Sequence, residues 1–222
     1  MKLHIAKLLI PILFLFIFSF FAQKLANYYK CKVNYGFICS ILLCSFIAIY
    51  FQGLNLYCQI AYLLFFCILV VGAIIDYEHR ILPNALNTLL ALLALLYGMF
   101  NYFLPNNFTQ SFVWTLAGGV FGFLIALLLY KLGHVLFKKE AFGMGDVKLF
   151  FAVGALLGVK SVLPVLLFAS VIGVIIHLFK QCFSTNKKST YEQNTMAFVP
   201  YIYAAMLVYI SFKKSIDVYM FI

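Results

Sequence analysis

Charge is what this sequence has least of. Of 222 residues 10% are charged, and only six are carboxylates: Asp76, Glu78, Glu140, Asp146, Glu192 and Asp217. A soluble domain carries about 25% charged and roughly 45–50% apolar residues. Here the apolar share is 66% and the mean hydropathy is +1.06. A chain this size cannot hide so much apolar surface in one core, because much of any folded domain still faces solvent. That excludes a soluble globular enzyme, a disordered chain and a nucleic-acid binder. Paired cysteines are missing too. None of Cys31, Cys39, Cys44, Cys58, Cys67 and Cys182 forms a C-x-x-C pair, and no H-E-x-x-H occurs. Zinc-ribbon spacing is therefore absent, and neither a metal nor a cofactor is expected. Cys39, Cys44 and Cys67 lie in apolar runs, where a thiol serves as a small buried hydrophobe.

What is present is a series of apolar runs, at about 5–22, 35–51, 57–75, 84–104, 112–130, 147–159, 162–179 and 196–212. They are continuously apolar rather than alternating, which predicts helices and not barrel strands. At about 20 residues per span, the expectation is an all-α integral membrane protein of about eight transmembrane helices. Residues 1–222 read as one polytopic domain with a short first loop at about 23–34 and no separate soluble domain. Lys160 and Ser161, followed by Pro164, are expected to mark the turn after the short sixth run.

If the loops after spans 1, 3, 5 and 7 face the cytoplasm, they hold eleven lysines and arginines against five on the other side. Positive residues favour the cytoplasm, so both termini are expected on the non-cytoplasmic side. Lys2, His4 and Lys7 resemble a signal-peptide n-region, but no small-x-small cleavage site follows and the first run reads as a mature helix. The +10 net charge is thus mainly a topology signal. Trp114 and the tyrosines near span ends read as interfacial anchors.

Two of the six carboxylates stand at span edges. Asp76 closes the third run, ahead of Ile81-Leu82-Pro83-Asn84, and Asp146 opens the sixth, in Gly143-Met144-Gly145-Asp146-Val147-Lys148-Leu149. Both fall on the expected cytoplasmic side. A carboxylate at a membrane boundary is costly to desolvate and marks a functional site or a watered cavity. Asp146 would sit favourably at a helix N-terminus, whereas Asp76 lies at a helix C-terminus, where the dipole disfavours an anion. Two carboxylates in a partly dry site share a proton, so one can draw a proton from water while the other protonates a leaving amine. Peptide-bond hydrolysis needs that division. A proton-coupled carrier using the same pair, or a non-catalytic assembly component, remain as alternatives, although no internal repeat favours the carrier.

These two motifs resemble those of the type IV prepilin peptidases, membrane aspartic proteases of the G-x-G-D kind. Asp76 through Ile81-Leu82-Pro83-Asn84 matches the family's first signature, and Gly143 to Leu149 its second, G-x-G-D-x-K-L. The resemblance runs from about Asp76 to Ser211. It implies that Asp76 and Asp146 are catalytic, supported by Gly143, Gly145, Lys148, Pro83 and Asn84. The implied substrates are prepilins and pseudopilins of type IV pili or type II secretion, cut after a glycine at the cytoplasmic face of the bacterial inner membrane. Glu78 and Glu140 flank the site and are candidate contacts for the basic leader, with solvated loop charge as the plainer role. Lys148, nearly opposite Asp146 on its helix, reads as a snorkelling lysine. Because the surrounding loops are basic, anionic membrane lipids are the expected partner for the leader itself.

Two departures from the family pattern stand out. The large first loop with paired C-x-x-C motifs is reduced to about 23–34 with Cys31 alone, so N-methyltransferase activity is not expected. The family's late F-G-P-Y/F stretch reads Phe198-Val199-Pro200-Tyr201, a change expected to alter local packing without touching either aspartate.

Overall fold

The computed structural model describes residues 19–20, 22–24, 26–29, 31, 35–51, 56–103, 112–137, 143–183 and 197–220. Among them there is no strand. Besides the helical residues 19–20, 22–24 and 26–28, seven helices follow in order among the described residues: α1 (Tyr35–Phe51), α2 (Leu56–His79), α3 (Asn84–Phe103), α4 (Phe112–Phe137), α5 (Met144–Leu157), α6 (Val159–Phe183) and α7 (Val199–Met220). They coincide with the apolar runs from the second to the eighth. Most of the first run lies outside the described residues. Among the described residues three helices, α2, α4 and α6, are long and apolar enough to cross a membrane, by stretches Leu56–His79, Phe112–Leu136 and Val159–Phe179.

Burial separates these three. Most of the apolar stretch of α2 is enclosed by the bundle, with Phe65, Phe66, Leu69 and Ile75 fully buried. By contrast α4 and α6 leave most of theirs on the outside, including Val120, Leu124, Leu128, Leu167, Val171 and Ile175. An apolar outer face is the arrangement a lipid environment permits and water does not.

Short α5 is the second internal helix. It packs most extensively on α4, and also on α3 and α6. Its approach to α4 depends on missing side chains. A Cβ on Gly118 would strike the carbonyl oxygen of Gly154, one on Gly154 would strike that of Gly118, and one on Gly122 would strike that of Phe150. Helices in lipid have little hydrophobic drive to associate, so such small-residue contact is what holds them.

Gly158, rather than the Lys160–Pro164 segment, makes the break after α5. It adopts φ +92° and ψ 170°, a conformation essentially reserved for glycine. Its N–H donates to the Gly154 carbonyl at 2.8 Å, and its own carbonyl accepts from the Ser161 hydroxyl at 2.6 Å. Lys160, Ser161 and Pro164 therefore belong to α6. Pro164 lies early in that helix, where a missing N–H costs a single backbone bond.

Candidate active site

The first motif folds as it does because α2 ends at His79 and the chain reverses at once. Arg80 adopts φ +57°, a left-handed cap usually taken by glycine, while its N–H still donates to the Asp76 carbonyl at 2.9 Å. The reversal returns Leu82 to the face of α2, where its Cδ1 lies 3.0 Å from the position a Cβ on Gly72 would occupy. Pro83 then opens α3. Its carbonyl accepts from the N–H groups of Leu86 at 3.1 Å and Asn87 at 3.3 Å.

The second motif docks on this turn. The missing side chain of Gly145 lets α5 close on Leu82, whose Cβ and carbonyl oxygen would stand 3.2 and 3.7 Å from a Cβ at position 145. Lys148 Nζ donates to Asn84 Oδ1 at 2.8 Å, and Asn87 Nδ2 donates to the Gly145 carbonyl at 3.1 Å. Lys148 is exposed, as a snorkelling lysine would be, yet it also ties the two motifs together. The motif residues Pro83, Asn84, Gly145 and Lys148 thus form one interlock. Gly143 caps α5 and would place a Cβ only 3.1 Å from Asp146 Oδ2, so its bareness makes room for that carboxylate.

This interlock brings Asp76 and Asp146 near enough for the charge of one to act on the other, because α3 packs against both α2 and α5. Asp146, half-buried in the first turn of α5 and ahead of its apolar stretch, has its carboxyl pushed up to about 7. Burial is the main cause and the neighbouring charge of Asp76 adds to it, against a hydrogen bond from the backbone of Gly143. Asp76 is buried, with 7% of its surface exposed. Its Oδ2 accepts the Val199 N–H at 3.0 Å, and the Phe198 backbone also faces it.

That last contact corrects an expectation. The Phe198-Val199-Pro200-Tyr201 stretch does touch an aspartate, through its main chain. Because the donor is a backbone N–H, valine serves in place of glycine, and its side chain is fully buried. Neither Val199 nor Asn87 stood out in the sequence. Asn87 lies one helical turn beyond Pro83 and is 3% exposed, and only an asparagine in an otherwise apolar face could have signalled it.

Glu78 and His79 are exposed at the end of α2, on the side of Cys31. A hydrogen bond joins Glu78 to the Cys31 thiol, and His79 Nε2 meets the Tyr29 carbonyl oxygen at 3.0 Å. Burial first, and then Glu78, push the thiol up to about 11. Glu140 lies outside the described residues.

The arrangement has relatives. The Type IV leader peptidase family matches residues 63–178. A prepilin leader peptidase/N-methyltransferase of Xanthomonas campestris pv. campestris is 34% identical over 110 residues, covering 50% of this chain and 36% of that protein. Its namesakes from Dickeya chrysanthemi and Pectobacterium carotovorum subsp. carotovorum are 35% and 30% identical over 119 and 150 residues. Those matches cover 54% and 66% of this chain but 40% and 50% of the relatives. The chain thus spans between about a third and a half of the length of these relatives. No solved structure matches it. With both motifs inside a match covering more than half of its length, the chain belongs to the type IV leader peptidase family.

Proposed function

We propose that this protein is a membrane-embedded aspartic endopeptidase of one domain that removes the short basic leader from prepilins and pseudopilins. The observation that carries the reading is the interlock of Asn84 with Lys148 and Asn87 with Gly145. It joins the helix ends bearing two of the chain's six carboxylates closely enough that the charge of one acts on the other.

In the mechanism the dyad carries one proton. Asp76 receives backbone hydrogen bonds from Val199 and Phe198 and feels the charge of Arg80, whereas Asp146 receives one, from Gly143. We therefore assign the shared proton to Asp146, the carboxyl that receives fewer backbone hydrogen bonds. Asp76 takes a proton from the attacking water, and Asp146 gives one to the leaving amine. The apparent pKa values belong to the pair as a whole.

The site faces the cytoplasm in the topology favoured by the eleven-to-five distribution of basic residues, with eight spans in the bacterial inner membrane and both termini outside. The relatives carry methyltransferase in their names. This chain is proposed to act as a peptidase alone, since its first loop holds no paired cysteines.

Incubating the purified protein with a prepilin in anionic-lipid proteoliposomes tests this, with mass spectrometry of the product. A new N-terminus after the leader glycine, lost by about a hundredfold or more in Asp76→Asn, is expected. An uncut prepilin, or equal cutting by the variant, would overturn it.

A further inference from the structure

The sequence holds no local metal motif, but the fold assembles a ligand set from two separate segments. Cys31 Sγ, a carboxylate oxygen of Glu78 and a ring nitrogen of His79 all lie within 4.8 Å of one another. Cys31 follows the helical residues 26–28, and its N–H donates to the Ala26 carbonyl at 3.0 Å. Glu78 and His79 are the last two residues of α2. From these three side chains we infer a binding site for a zinc-class divalent cation, with Cys31, Glu78 and His79 as protein ligands and a fourth position open to water. This inference stands apart from the peptidase reading, since it requires neither aspartate to act.

Four features support it. The donor set is sulfur, imidazole nitrogen and carboxylate oxygen, the borderline mixture that zinc takes and that magnesium and calcium avoid. A thiolate and a carboxylate together balance a dication, and without one the Cys31 thiol keeps its proton and hydrogen-bonds Glu78.

The histidine ring is also held by a main-chain contact. A carbonyl oxygen only accepts, so the contact at 3.0 Å with Tyr29 puts a proton on Nε2 and leaves the Nδ1 lone pair for a metal. A hydrogen bond from the far ring nitrogen to a carbonyl is how metal-bound histidines are commonly held.

Reach is adequate as well. Bonds of about 2.0–2.3 Å to a tetrahedral ion bring ligand atoms to roughly 3.3–3.8 Å from each other. The required closure is about an ångström, within a rotation of the exposed Glu78 and His79 side chains toward buried Cys31. A bound ion would clip the segment ahead of α1 to the end of the helix carrying Asp76, two residues before Glu78. C-x-x-C spacing could not reveal this, because all of α1 and nearly all of α2 separate the ligands.

Cobalt is a spectroscopic stand-in for zinc and requires no catalysis. The untagged, reduced protein in detergent should bind one equivalent of Co2+ and develop a thiolate-to-cobalt charge-transfer band, which added Zn2+ abolishes. Cys31→Ser should lose the band, and His79→Gln should weaken the binding by about tenfold or more. The double variant Asp76→Asn/Asp146→Asn should keep both band and affinity. Absence of the band in the native protein would overturn the site. So would its persistence in Cys31→Ser, or a loss of Co2+ binding in the double aspartate variant but not in Cys31→Ser, which would put the ion at the dyad.

Discussion

Asp146 is paid for in stability, and the direction follows from its raised carboxyl value. The fold prefers its protonated form. The resulting stabilisation is complete below the ordinary carboxylate range, declines as the pH rises and is gone above about 7. Asp146→Asn escapes the loss. Its thermal midpoint in detergent should match the native protein near pH 4 and exceed it at pH 8, by on the order of 2–4 kcal/mol in stability. Equal midpoints at pH 8 would contradict the burial of this group. Asn87 is the second test at this scale. Asn87→Ala removes the bond to the Gly145 carbonyl and should cost about 1–2 kcal/mol in stability. Cleavage should fall more steeply than folded yield, because the bond fixes the start of α5 and not the bundle as a whole. The two aspartates were legible in the sequence because acidic residues are so scarce in it. Val199 was not, since a main-chain N–H carries no side-chain signature.

Among the elements, α4 and α5 form the contact least tolerant of substitution. The mutual approach of Gly118 and Gly154 leaves no room for a side chain, and backbone lies on both sides. Gly154→Val should therefore reduce the folded, detergent-stable yield by about tenfold or more, while Val120→Leu on the outer face of α4 should be tolerated. Size-exclusion profiles of the two would check this, and similar profiles would contradict the packing. The helix positions were legible because continuous apolar runs leave few alternatives. The break between α5 and α6 was misread because Lys160, Ser161 and Pro164 are conspicuous turn formers, while the conformation that ends α5 belongs to Gly158 alone. Gly158→Ala should cost about 1–3 kcal/mol.

For the whole molecule, orientation is the main expectation. In a background without the native cysteines, cysteine at Asn106 should react with an impermeant maleimide applied to spheroplasts, and cysteine at Lys138 only after permeabilisation. The reverse pattern would contradict the cytoplasmic site. This part of the account was legible as a distribution of lysines, whereas the nearness of Asp76 and Asp146 required the fold: α2 and α5 are joined through α3 and the turn at Arg80. Groups that act as a unit are not additive when removed. Single-turnover cleavage of a prepilin by Asp76→Asn, Asp146→Asn and the double variant measures this directly. The account predicts that each single variant loses about a hundredfold or more and that the double variant loses no more than the worse single. Losses that multiply in the double variant, or near-native cleavage by either single variant, would contradict a shared-proton dyad.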